Sequence, residues 1–200
     1  MTIAPKTRVA VLISGSGTNM VSLIEGAQSV GSPYEVALVI SNIEDAAGLD
    51  KARALGVEAI ALPHRPYGKD RLAHEQALHA VLVAHNIQVL ALAGYMRLLS
   101  PWLVQAWKGR MLNIHPSLLP LYPGLDTHAR ALEAGDAEAG CTVHIVTEGM
   151  DEGPVLGQAR VTIQQGDTAE ILAERVKQAE HSLYPRILAQ HVRALSLNEN

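Results

Sequence analysis

Val9-Ala10-Val11-Leu12-Ile13-Ser14-Gly15-Ser16-Gly17-Thr18-Asn19 decides the fold. Five consecutive apolar residues without a polar alternate are the pattern of a strand buried on both faces, as in a parallel sheet. A glycine-rich turn follows at once, and then Met20, Leu23, Ile24 and Ala27 recur at helical spacing until Gly31. Strand, glycine turn and helix make the first βα unit of an open α/β sheet. Such a turn is either a plain tight connection or an anion cradle, because glycines let a ligand approach the backbone and the helix start offers unbonded N–H groups. The dinucleotide fingerprint is broken: Met20 stands where the third glycine belongs, and Ser41-Asn42 provides no carboxylate for a ribose. With the Walker pattern also absent, the site expected is the size of a monophosphate.

The alternation continues outward from this unit. Strands are expected over residues 34–40, 57–62, 89–93 and 111–114, and helices over 46–55, 70–85, 102–107 and 127–134. Gly56, Pro63, Asn86, Pro101 and Gly135 punctuate them. Residues 141–146 and 155–163 alternate as strands, and the eight residues between them suit an antiparallel pair. Residues 168–193 form one long helix or two, with Pro185 marking a kink or break, and 195–200 read as a frayed tail. The fold class expected is α/β: a Rossmann-like, mostly parallel sheet with helices on both faces and an antiparallel C-terminal strand pair. Without repeats, low-complexity tracts or a linker, a single domain over residues 1–200 is expected.

Composition removes several classes of function. With 16 Lys and Arg against 20 Asp and Glu, the formal charge of −4 leaves no basic footprint for a nucleic acid. No apolar stretch reads as a signal peptide or a membrane span, so a cytoplasmic protein without a membrane partner is expected. Cys141, the one cysteine, heads an apolar run and reads as a small core residue. No zinc-type spacing of Cys or His asks for a metal.

Chemistry concentrates at strand ends. Asn113-Ile114-His115-Pro116-Ser117-Leu118-Leu119-Pro120, followed by Tyr122-Pro123-Gly124, delivers an amide and an imidazole to the carboxyl end of a strand, where open α/β sheets bind ligands. Each residue alone fits a polar turn; the pair, between apolar flanks in a proline-stiffened loop, points to a site. Gly94-Tyr95-Met96-Arg97-Leu98-Leu99-Ser100-Pro101 is an apolar loop suited to lining a pocket for a flat ligand. Glu148, Asp151 and Glu152 put more negative charge into one connection than a turn requires. Arg71 sits in the first turn of a helix, where a cation opposes the dipole; it is either a solvated surface residue or a partner for an anionic ligand.

In this order, SGSGTN, AGYMRLLSP, NIHPSLLP, MDEGPV and AEHSLYP resemble the folate-dependent phosphoribosylglycinamide formyltransferases of purine biosynthesis, over about residues 8–190. The resemblance implies a one-carbon transferase that moves the formyl group of 10-formyltetrahydrofolate to the amine of glycinamide ribonucleotide. It implies Asn113 and His115 as a catalytic pair with Asp151 as carboxylate partner, and Gly17, Thr18, Asn19 and Glu180 as substrate contacts. Arg71, Met96, Arg97, Leu98 and Leu99, with Asn113, would serve the folate. Both partners are then small molecules, no metal takes part, and the chain is expected as a monomer or homodimer. Leu121 departs from relatives that carry a basic residue after SLLP. Methionyl-tRNA formyltransferase and formyltetrahydrofolate deformylase share the catalytic pattern but carry an extra domain. The alternatives are a 10-formyltetrahydrofolate hydrolase and a non-catalytic phosphosugar-binding module.

Overall fold

The computed structural model describes residues 5–198. Seven strands form one sheet: β1 (Thr7–Ile13), β2 (Tyr34–Ser41), β3 (Ala59–Ala61), β4 (Val89–Leu92), β5 (Met111–His115), β6 (Glu138–Ile145) and β7 (Val155–Thr162). Their order is β3-β2-β1-β4-β5-β6-β7. Pairing is parallel from β3 across to β5, and antiparallel between β5 and β6 and between β6 and β7. Among the described residues the α-helices are α1 (Thr18–Gln28), α2 (Ala47–Ala54), α3 (Arg71–Ala84), α4 (Pro101–Ala106), α5 (Thr127–Ala134) and α6 (Ala169–Asn198). This is the expected Rossmann-like class.

Period-two side-chain alternation divides the apolar strand residues between two cores. Val9, Val11 and Ile13 face α1, α2 and α6, whereas Ala10 and Leu12 face Leu78 and Leu82 of α3 and Leu103 of α4. Val89 and Ala91 join the first core and Leu90 and Leu92 the second, so the central strands are apolar on both faces. Burying such an aliphatic side chain contributes roughly 1.5–3 kcal/mol, enough for this pattern to dominate the choice of fold. Both layers leave the carboxyl ends of β1, β4 and β5 open on one rim. The reversal of strand order between β1 and β4 lies there, the usual position of a ligand crevice.

Expectations are refined in detail. β3 is three residues rather than six, consistent with an edge strand paired only to β2. α6 is one helix through Pro185, whose ring packs at Gly26 of α1, where a Cβ would come within 2.7 Å of it. The frayed tail expected from residue 195 is helical through Asn198, because Leu195 still packs on the core; residues 199–200 lie outside the described residues.

Candidate active site

Asn113 and His115 are two residues apart on β5, so both side chains leave the same face of the sheet. His115 is buried. Its Nε2 lies 2.9 Å from the carbonyl of Tyr122, and its Nδ1 lies 3.4 Å from Asp151 Oδ2. The same Asp151 oxygen accepts the Gly124 N–H at 2.9 Å, and its other oxygen is 3.6 Å from His144 Nε2. Asp151 itself sits at a φ of 56°, a left-handed conformation uncommon outside glycine, in the connection between β6 and β7. Of the three carboxylates in that connection it is the one that joins this cluster, while Glu148 accepts the side-chain amide of Gln105.

His144 lies within the apolar run of residues 141–146, where nothing in the sequence singles it out. The antiparallel register of β5 and β6 pairs it directly with Asn113. Its Nδ1 is 3.0 Å from the Ile145 carbonyl and its Nε2 is 3.2 Å from Asn113 Nδ2. A neutral ring protonated on Nδ1 satisfies both contacts, donating to the carbonyl and accepting from the amide. Burial lowers the His144 pKa from its ordinary value, with a smaller push in the same direction from His115, against the Ile145 bond and the Asp151 charge. One Asn113 N–H is thereby engaged, which fixes the amide plane. The only signal in the sequence was the alternation of residues 141–146, and alternation carries no register.

The proline-rich loop after β5 is held from beneath. Thr142 Oγ1 donates to the Ser117 carbonyl at 2.6 Å and accepts the Leu119 N–H at 3.0 Å, and Ser117 Oγ donates to the Leu121 carbonyl at 2.6 Å. Ser117 is therefore engaged in its own loop and stands apart from His115 as a nucleophile. Leu121, at the position that departs from the family pattern, is exposed.

The glycine turn ends in Gly17 at a φ of 67°, and a Cβ there would come 3.1 Å from the Gly48 Cα. Backbone conformation and close approach both demand glycine. No side chain caps α1, so its first N–H groups stay available to an anion. Asn19 Nδ2 donates to Glu180 Oε2 at 2.7 Å, which unites the two expected substrate contacts, while Asn19 Oδ1 is buried without a partner. Burial raises the Glu180 carboxyl above its ordinary pKa, and the Asn19 bond opposes the shift.

Across the rim, Met96 and Leu98 are 65% and 60% exposed, whereas Leu99 packs on the second core. The Met96 N–H donates to Ser14 Oγ at 2.8 Å, and Ser14 in turn bonds Asn42. The apolar loop after β4 is thus tied to the tip of β1. Arg71 is exposed at the start of α3, and its side chain has no hydrogen bond or ion pair within the described residues. Two imidazoles and a carboxylate converge in the cluster, yet among the described residues no group of side chains is arranged to hold a metal ion.

An amide, two imidazoles and a carboxylate gather at the carboxyl end of β5, and residues 7–188 match the formyl transferase family. The chain is 50% identical to a phosphoribosylglycinamide formyltransferase of known structure from Brucella melitensis, covering 94% of this chain and 96% of that one with a TM-score of 0.90. It is 42% identical to the phosphoribosylglycinamide formyltransferase of Escherichia coli K12 over 90% of this chain and 85% of that protein. It is also 46% identical to the human trifunctional purine biosynthetic protein adenosine-3 over 92% of this chain, and spans only 18% of that protein's length. The chain belongs to the formyl transferase family, among its phosphoribosylglycinamide formyltransferases.

Proposed function

We propose that the chain transfers the formyl group of 10-formyltetrahydrofolate to the amine of 5'-phosphoribosylglycinamide, a step of purine biosynthesis, with the folate acting as co-substrate. The observation that carries this is the placement of Asn113, His115 and Asp151 within one contact network at the end of β5 in a chain of this family. The substrate phosphate is taken by the backbone at Gly17, Thr18 and Asn19, and the ribose hydroxyls by Glu180. The pterin lies against Met96, Arg97, Leu98 and Leu99, and Arg71 meets a glutamyl carboxylate.

The unprotonated amine attacks the formyl carbon, forming the new C–N bond and placing negative charge on the former carbonyl oxygen. Asn113 donates to that oxygen the N–H that His144 does not engage. Oriented donors of this kind are usually the largest single contribution to such a transition state. Collapse breaks the bond from carbon to N10 of the folate; N10 gains a proton and the attacking nitrogen loses one, with His115 as the exchanging group. Asp151, with Oδ2 at 3.4 Å from His115 Nδ1, is given the part of orienting the imidazole. His144 holds the Asn113 amide in plane. The enzyme works as a small-molecule transferase in the cytoplasm, as a monomer or homodimer.

Incubation with 10-formyltetrahydrofolate, with and without glycinamide ribonucleotide, tests the proposal. Formylated ribonucleotide formed in step with folate release is the expected result. Folate turnover independent of the ribonucleotide would instead mark a hydrolase. Ribonucleotide binding without turnover of either compound would mark a binding module.

A further inference from the structure

Tyr122-Pro123-Gly124 holds both members of the His115–Asp151 pair. The Tyr122 carbonyl faces His115 Nε2 at 2.9 Å, and two residues later the Gly124 N–H donates to Asp151 Oδ2 at 2.9 Å. The spacing of imidazole and carboxylate is therefore set by the shape of this turn. The turn is not relaxed: Tyr122 has a φ of 53° and Asp126 a φ of 56°, conformations that L residues keep only when surrounding contacts over-determine them.

Those contacts come from α5 and the residue just beyond it. Arg130 Nη1 donates to the Pro123 carbonyl at 2.7 Å and to the Leu125 carbonyl at 3.2 Å, and the guanidinium carbon lies 5.2 Å from the Tyr122 ring centre. Tyr122 Oη donates to Asp136 Oδ2 at 2.6 Å, which fixes the ring from its far end. Neither Arg130 nor Asp136 has an ion-pair partner among the described residues, so this turn is what their charges serve.

We propose that Arg130 and Asp136 are positioning residues for formyl transfer, which set the His115–Asp151 geometry by clamping the turn at Tyr122. The inference rests on the function proposed above, because it takes His115 and Asp151 as the working pair. Lysine is only a partial equivalent at residue 130: its ammonium could donate to the two carbonyls that Nη1 reaches, but it has no planar face to lie over the Tyr122 ring.

Three variants test it. Tyr122→Phe removes one hydroxyl and keeps the backbone carbonyl; Arg130→Met removes the guanidinium and keeps the stem; Arg130→Lys returns a cation. Loss of one such hydrogen bond corresponds to a rate change of about threefold to tenfold. The expected result is a kcat lowered by about that factor in Tyr122→Phe and by more in Arg130→Met, partial recovery in Arg130→Lys, and both KM values within about twofold of wild type. In an Asp151→Asn background, Arg130→Met should add less than about twofold, because the pair it serves is already broken. A full multiplicative loss in that background, or an unchanged kcat in Tyr122→Phe and Arg130→Met, would overturn the proposal. The imidazole nitrogen resonances of His115 give a reading that needs no turnover. They should move in Tyr122→Phe and Arg130→Met, and unmoved resonances sink the positioning role. Absence of formyl transfer by the wild-type protein would instead refute the function itself.

Discussion

Asp151 links three contacts that no one stretch of sequence contains: His115 on β5, His144 on β6 and the Gly124 N–H in the intervening loop. Replacing it with Asn keeps the shape and removes the charge. We expect Asp151→Asn to lower kcat on the order of 10²-fold with little change in either KM, as when an interaction serves mainly the transition state. Steady-state kinetics with both substrates varied decide it, and a wild-type kcat would reduce Asp151 to a turn residue. Arg71 offers a contrasting case, since its side chain has no hydrogen bond or ion pair among the described residues. Arg71→Ala should raise the KM for the folate and leave that for the ribonucleotide unchanged; unaltered folate kinetics would remove Arg71 from the site. Cys141 needs no catalytic account: burial, aided by the Glu180 charge, pushes its thiol up to about 12.

At the level of elements, the β1–α1 unit carries the most testable assignment. Gly17 is required by the backbone, so a change there would confound folding with binding. Gly15 is different: it is exposed, and a Cβ placed on it meets nothing within 4 Å. If the turn cradles a phosphate, Gly15→Val should raise the ribonucleotide KM severalfold while thermal stability and folate KM hold. Equal weakening of both ligands would argue against a phosphate site at this turn. The elements were legible because each carries its own punctuation. Asp70 caps α3 by accepting the Ala73 N–H, Pro101 opens α4, and Gly135 closes α5 in the left-handed conformation. Where an end depends on packing instead, the boundary moved, as at the C-terminus of α6.

For the whole molecule, buried and half-buried histidines make acid the expected weakness. His74, His128, His144 and His181 all have pKa values lowered from 6.5, chiefly by burial. The unfolded chain takes up protons at these positions as pH falls through about 6.5, while the folded chain resists until lower pH, so stability drops across that window. Asp167 adds a second, more acidic step. Its hydrogen bond from Arg175 lowers the carboxyl to about 2, giving a stabilisation present above the ordinary value of 3.8 and lost as pH falls towards 2. Urea titrations at pH 7.5 and pH 5.5 should therefore show a lower midpoint at the acid value. Equal midpoints would mean that these rings are not held neutral in the folded state.

Local sequence was sufficient for the layers and for the strand and helix types. Alternation and capping are properties of a few adjacent residues, and the apolar runs of β1 and β4 leave no other way to bury both faces. Asn113 and His115 were likewise readable, because two residues of spacing on a strand puts them on one face. Pairings between distant segments required the tertiary structure. The register that sets His144 opposite Asn113, the reach of Asp151 to His115, the Asn19–Glu180 bond and the grip of Arg130 on the Tyr122 turn join segments 7 to 161 residues apart. Each of these side chains has an ordinary solvated alternative in the unfolded chain. Their convergence is decided by how the sheet closes and which loops it brings to one rim, and that is a property of packing rather than of any motif.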